Sequence, residues 1–293
     1  MLWSVLHWHN VQRDQSWGKR SMEDNLVQRH KATTRIWHWL NAVALTVLLM
    51  SGLMIFNAHP RLYWGEYGSR EDRAWLEIDD TKTTGFVKVG SATLETTGVL
   101  GLSLGANDKV RRVAFPGWAT IPTGYNLGAA RRWHFAFAWL FALGLTGFMA
   151  ASLLNGHIIR HLHIRKAEWG LGHIWGDIKN HARLRFDAHN AGTYNILQKF
   201  SYIGVIFILL PLMIFTGLAM SPAMNAALPW LLDIFAGRQS ARSIHFICAA
   251  LLFSFVLLHL VMVLLSGPIS GIRSMITGKV RQAPQVNTTG VES

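Results

Sequence analysis

Residues 242–265 read RSIHFICAALLFSFVLLHLVMVLL. Arg242 is the last charged residue before Arg273, so the window Ser243–Ile272 contains no Asp, Glu, Lys or Arg. A helix needs about 20 apolar residues to cross about 30 Å of hydrocarbon. This window exceeds that length and reads as a membrane helix. Two histidines, His245 and His259, interrupt its apolar character. They stand 14 residues apart, close to four full turns. Both imidazoles therefore project from nearly the same face, about 21 Å apart along the axis.

Three further windows lack charge: Ile36–Pro60, Trp133–Ile159 and Phe200–Leu232. Each contains an apolar run long enough to span, so the reading is four transmembrane helices. Pro211 in the third predicts a kink rather than a break, because the bilayer enforces helix. The helix-end residues Trp37, Trp39, Trp133 and Trp230 read as interfacial belts, and Trp139 either as belt or as core.

The composition agrees. The chain is 51% hydrophobic and 15% charged, against about 25% charged in a typical soluble domain. Its mean hydropathy is +0.23 and its sequence pI about 10.3. The net charge of +12 therefore calls for a membrane explanation before a nucleic-acid one. Residues 1–35, 160–199 and 273–293 hold 16 of the 28 Lys and Arg with 7 acids, a net +9. Residues 61–132 and 233–242 hold 12 with 9 acids, a net +3. The long 61–132 segment is exempt from the positive-inside rule, and both termini are expected to be cytoplasmic. Residues 1–35 are polar and charged, which does not fit a signal peptide.

One Cys among 293 residues excludes an intrachain disulfide, an iron–sulfur cluster and Cys-ligated zinc. A metal centre would have to be held by some of the 14 His. Ionisable groups inside a membrane are costly and usually functional. Four stand out: His38 at the start of the first helix, His134 at the start of the second, and His245 and His259 on the fourth. The first helix enters from inside, and the second and fourth from outside. Topology then pairs His134 with His245 near the outer face and His38 with His259 near the inner face. Two matched pairs with none left over suit two haems, each with both axial positions filled by His. Arg35, Arg131 and Arg242 each precede a candidate ligand by three residues. They lie one turn outward on the same face, where a guanidinium can pair with a haem propionate. Helix glycines Gly52, Gly144, Gly147 and Gly217 read first as packing positions, and second as places where haem or a neighbouring helix comes close.

Four motifs carry a family resemblance: HKATTRIWHWLN at His30–Asn41, RRWH at Arg131–His134, YNILQK at Tyr194–Lys199 and the His245/His259 pair. With these the chain resembles the bacterial di-haem cytochrome b membrane subunits of formate dehydrogenase, nickel–iron hydrogenase and thiosulfate reductase, within the cytochrome b561 superfamily. The stretches HPRLYWGEYG (His59–Gly68) and GWATIPTGYNLGAARRWHF (Gly117–Phe135) look most like the thiosulfate reductase branch. The resemblance implies two haem b groups on the same four His. It implies a quinone pocket near the inner haem at Asn195, Gln198 and Lys199, with Tyr194 nearby. His189 could relay protons there. It further implies a periplasmic partner oxidoreductase, of molybdenum-cofactor type in that branch. The long 61–132 segment departs from the formate dehydrogenase and hydrogenase members, so their docking mode does not carry over.

The expectation is an all-α integral protein of the bacterial inner membrane: a four-transmembrane-helix bundle enclosing two haems, with a long outer loop at 61–132. Residues 1–35 form a cytoplasmic segment, 36–272 the cytochrome domain with an inner loop at 160–199, and 273–293 a cytoplasmic tail, disordered after Lys279. Within the outer loop, Thr84–Leu94 (TGFVKVGSATL) is expected to form short strands. The function is electron transfer between the quinone pool and a partner enzyme, rather than substrate chemistry by this chain. One rival is a partner-free di-haem quinone reductase using a small donor such as superoxide. Another is a transporter using His as proton relays.

Overall fold

The structure is a computed structural model that describes residues 26–28, 32–69, 71–105, 109–154, 201, 203–265 and 268–281. Tyr194, Asn195, Gln198, Lys199 and His189, with the inner loop 160–199, lie outside the described residues.

Among the described residues, three helices are long and apolar enough to cross a membrane: α1 (Ala32–Phe56), α2 (Leu127–Leu154) and α6 (Arg238–Leu265). Each overruns its charge-free window at the N-terminal side, because helical hydrogen bonding does not stop where hydrocarbon does. Helix α2 begins where Asn126 Oδ1 accepts the Ala129 N–H at 2.9 Å, an N-cap five residues before Arg131. The large residues left exposed on these helices include Trp139, Leu143, Leu258 and Leu264. An all-round apolar surface of this kind suits lipid rather than water. Trp139 is 52% exposed, which favours the belt reading over core.

The third charge-free window is not one helix. Its described residues include the apolar helix α3 (Val205–Met220), which is shorter than the three long helices. Residues Val205–Leu209 of α3 are π-helical and pass into α-helix at Leu210. Pro211 follows at once. A proline lacks an N–H for the preceding turn, and a π-turn absorbs the missing bond, so the helix continues as expected. It ends at Ser221 before Pro222. Two short helices follow, α4 (Pro222–Ala227) and α5 (Trp230–Ile234). Pro222 and Pro229 set these breaks, since each is pre-organised for a helix start and unable to continue the helix before it. In the fourth window the described residues form α6, to Leu265, and α7 (Pro268–Thr277).

The chain is mostly helical, and the all-α expectation is corrected by the segment between α1 and α2. It holds strands β2 (Arg61–Leu62), β3 (Leu76–Asp80), β4 (Gly85–Val89), β5 (Ala92–Glu95), β6 (Gly101–Leu104) and β7 (Val110–Val113). Strands β2 to β5 form one antiparallel sheet in chain order, and β6 pairs with β7. The turn between β4 and β5 is the two-residue Gly90–Ser91 loop, with Gly90 at φ +60°. That conformation suits glycine and the twist of a hairpin. A small core forms from Phe56, Leu62, Ile78 and Ala114, with Phe246 packed against it. The sheet thus closes on the end of α1 and the first turns of α6. Burying Ile78, Leu62 and Phe56 there contributes about 1.5–3 kcal/mol per side chain. The physical reason for sheet rather than helix is the composition, with Phe86-Val87 and Val110 β-branched or aromatic between Gly-rich turns.

The segment is tied to α6 at its start. Gly65 O accepts the Gln239 and Ser240 N–H groups at 3.0 and 3.1 Å, satisfying donors that a helix N-terminus leaves open. Gly65 N donates to Ser240 Oγ at 2.7 Å. Gly237, at φ +107°, lies so close to Gly65 and Glu66 that a Cβ would stand 2.7 Å from Glu66 Cα. Asn57, just after α1, clasps Phe115 through both amide groups: Nδ2 donates to its carbonyl at 3.0 Å and Oδ1 accepts its N–H at 2.7 Å.

The chain divides into two compact units, Met1–Leu40 with His259–Ser293, and Asn41–Leu258. In the first, β1 (Leu26–Gln28) pairs antiparallel with β8 (Lys279–Arg281). The tail expected to be disordered after Lys279 therefore begins as a strand.

Candidate functional site

His134 is on α2 and His245 on α6. Their ring centroids are 6.3 Å apart with planes at 61°. Two imidazoles that share one metal at about 2 Å each hold their bonded nitrogens about 4 Å apart. The rest of the 6.3 Å is two half-rings. The spacing is therefore that of two axial ligands rather than of a direct hydrogen bond or a stacked pair.

Hydrogen bonding identifies the nitrogen left open on each ring. His134 Nδ1 lies 3.0 Å from Ser51 Oγ and 3.1 Å from Leu48 O. A carbonyl only accepts, so Nδ1 carries the proton. The Ser51 hydroxyl is engaged with Val47 O at 2.6 Å, which leaves its oxygen as an acceptor for the same N–H. His245 is held the same way. Its Nδ1 lies 2.9 Å from Thr216 Oγ1, and that hydroxyl donates to Leu212 O at 2.6 Å. Both imidazoles thus protonate Nδ1 and present the Nε2 lone pair. This is the tautomer a metal requires, fixed by a second hydrogen bond on the far nitrogen.

Each hydroxyl is followed by a glycine whose face meets the same imidazole. A Cβ at Gly52 would stand 3.3 Å from His134 Cε1, and one at Gly217 would stand 3.5 Å from His245 Cε1. Ser51-Gly52-Leu53 on α1 and Thr216-Gly217-Leu218 on α3 are the same hydroxyl–Gly–Leu unit, used twice around one pair. Ser51 and Thr216 are fully buried, so no water competes for these bonds. The glycines were read from the sequence; the hydroxyls beside them were not. The repeat was the available signal, though Thr146-Gly147 repeats it with nothing within 4 Å of a Cβ at Gly147.

The second pair forms within the other unit. His38 on α1 and His259 on α6 have centroids 6.4 Å apart and planes at 57°. Trp39 meets His38 edge-on at 5.4 Å. Two pairs drawn from different helices thus share one separation, close to the bis-axial value. Among the described residues, no three or more His, Cys, Asp or Glu converge as a metal site. The residues present fit a planar group held from both faces.

The three arginines all have protein contacts. Arg35 Nη1 donates to Ile276 O. Arg131 lies over the Phe135 ring at 5.7 Å. Arg242 Nη2 donates to His59 O, with its guanidinium over the Phe56 ring at 5.6 Å. Outside the membrane helices, Arg61 pairs with Glu77 at 2.6 Å and Asp79 at 3.0 Å. Burial acts to lower its pKa, but the Asp79 hydrogen bond and the Glu77 charge prevail and raise it. Cys248 is buried and stands free.

No solved structure matches the chain. A relative in Azospira oryzae, described as "Putative protein-methionine-sulfoxide reductase subunit YedZ1", is 23% identical over 244 residues, covering 83% of this chain and 94% of that protein. The profile of the prokaryotic cytochrome b561 family matches residues 29–278, which include both histidine pairs and all three long helices. The chain belongs to the prokaryotic cytochrome b561 family.

Proposed function

We propose that this membrane cytochrome carries two b haems, one on His38 and His259 and one on His134 and His245, and relays electrons between the quinone pool and a partner oxidoreductase. The observation that carries the reading is the matched geometry of the two pairs, 6.3 and 6.4 Å between ring centroids, with one ligand of each on α6. Haem b held by these four histidines would supply one-electron transfer.

The chain's own residues do the rest. Ser51 and Thr216 set the tautomer and rotation of their imidazoles. Gly52 and Gly217 leave room beside them. Arg35, Arg131 and Arg242 offer cations one turn from their ligands for propionates. Asn195, Gln198 and Lys199 are proposed to hydrogen-bond a quinone, on the strength of the family resemblance.

The architecture proposed is a bundle of four crossings in a bacterial inner membrane with both termini cytoplasmic. The folded 61–132 segment then faces the periplasm and offers the docking surface for the partner. Its sheet core argues for a surface with a fixed shape. The Azospira relative's name points to a reductase as the kind of partner. A molybdenum-cofactor reductase, as in the thiosulfate reductase branch, is the form proposed.

The test is a reduced-minus-oxidised absorption spectrum of the purified chain, followed by His245→Ala and His38→Ala. Two b-type signals are expected in the parent, and each variant should lose a different one. Loss of the same signal from both variants, or no haem in the parent, would overturn the assignment.

A further inference from the structure

Tyr63 follows β2 and is 2% exposed, yet its hydroxyl oxygen is buried with no hydrogen-bond partner among the described residues. Everything else about the side chain is held. Its carbonyl accepts the Ser243 hydroxyl at 2.6 Å, and Ser243 Oγ in turn accepts the Trp75 indole N–H at 2.9 Å. Its ring stacks on His59, with centroids 5.7 Å apart and planes at 26°. The Gly68 backbone lies against the ring so closely that a Cβ there would overlap it. A phenol packed this firmly cannot swing out to water, and a buried hydroxyl whose bond is unmade is destabilising.

Tyr63 and Arg242 are joined through shared neighbours. Arg242 donates to the carbonyl of His59, whose ring stacks on Tyr63, and the next residue, Ser243, donates to the Tyr63 carbonyl, while the Phe56 ring lies under the guanidinium. Arg242 stands one helical turn before His245. Arg61 also lies within electrostatic reach of Tyr63, but it is already paired with Glu77 and Asp79. A guanidinium has five donors and no acceptor, and the phenol offers a donor to any anion beside it. The phenol proton therefore lacks an acceptor and the guanidinium has donors to spare beyond the His59 carbonyl; a carboxylate supplies an acceptor of opposite charge to both.

We propose that the Tyr63 hydroxyl, with Arg242, holds a propionate carboxylate of the haem carried by His134 and His245. This rests on the haem assignment proposed above. Tyr63 is a binding residue for that cofactor and lowers the negative charge felt by its iron. A propionate that loses a hydrogen bond favours the ferric state.

The test is Tyr63→Phe in the full haem-loaded chain, read by redox titration. The ring, its stacking and its burial are kept, and only the donor is lost. Both haem signals should remain at parental stoichiometry. At a fixed ambient potential, the reduced-to-oxidised ratio of one haem should fall about three- to tenfold, tenfold being about 59 mV for one electron. The other haem should not move. Unchanged titrations of both haems would overturn the proposal, because a water or a purely structural hydroxyl has that outcome. A second measurement does not depend on the variant. Redox-difference infrared spectra of the parent with ring-13C tyrosine should show a tyrosine C–O band that moves as that haem is reduced; a silent tyrosine region would equally overturn it. Failure of the underlying haem assignment looks different, since His245→Ala would then keep both haem signals.

Discussion

Replacing Thr216 by Val removes one hydroxyl and almost nothing else. That hydroxyl accepts His245 Nδ1–H at 2.9 Å and passes its own proton to Leu212 O. Thr216 is 0% exposed, so water cannot take its place. A buried donor stripped of its partner costs about 1–3 kcal/mol. Loss of an outer partner of a metal-bound His typically weakens metal binding about 10–100-fold. At about 1.4 kcal/mol per decade, the two ranges agree. The expected outcome is therefore a 10–100-fold faster or more complete loss of one haem, with the other retained. The assay is transfer of haem from the solubilised chain to an excess apoprotein acceptor, followed by the b-type absorption of what remains. Thr216→Ser should restore binding, because it returns the oxygen. If Thr216→Val held both haems as tightly as the parent with an unchanged spectrum, the proposed role of Nδ1 bonding would be refuted.

Ser51→Ala should be milder, about threefold in haem affinity, because His134 Nδ1 keeps the Leu48 carbonyl at 3.1 Å; the same transfer assay checks it. At Gly52 an alanine Cβ would sit 3.3 Å from His134 Cε1, a contact a small shift relieves, so Gly52→Ala should keep both haems. Gly52→Leu has no such relief and should lose the haem on His134 and His245, seen as half the haem absorbance per chain. Arg61→Met should lower stability by about 1 kcal/mol, measured as a fall in unfolding midpoint, because its carboxylate partners are only partly shielded. The raised Arg61 pKa gives this term a definite pH sense. It is fully present below the ordinary arginine range and lost only as pH rises through the raised value, so the difference between parent and Arg61→Met should not vary across neutral pH.

The helices were legible because a membrane span advertises itself through missing charge. Their ends were less so. Arg131 and Arg132 fall inside α2, since a charge count marks the edge of hydrocarbon and Asn126 marks the start of the helix. In the third window Pro211 was weighed, while Pro222 and Pro229 end the helices that an apolar count runs together. Of the sheet, only residues 84–94 read as strand. Strand β3, Leu-Glu-Ile-Asp-Asp, looks like a solvated turn until β2 and β4 flank it, and such pairing is not local information. The four histidines proposed as ligands stand out in the sequence by spacing along one helix and by their places at helix starts, and the structure brings them together as two pairs. The hydroxyls that orient two of them were hidden, because Ser and Thr inside a membrane helix ordinarily bond their own backbone. Ser51 and Thr216 do that as well, and only the packing of neighbouring helices reveals the second bond.

The short pairing of β1 with β8 has a consequence for counting. Leu26–Gln28 and Lys279–Arg281 lie side by side, and Arg35 and Trp39 reach the carbonyls of Ile276 and Met275 nearby. In the proposed membrane placement, the chain between the strands is then effectively a closed circuit that leaves one side of the bilayer and returns to it. A closed circuit crosses a plane an even number of times. Among the described residues three helices are long enough to cross, an odd number. An even count would take a further crossing, and α3 is an apolar helix among the described residues proposed to make it. The count agrees with the proposed bundle. It also makes the strand pair a test point: a label at residue 28 and one at residue 279 should be accessible from the same side.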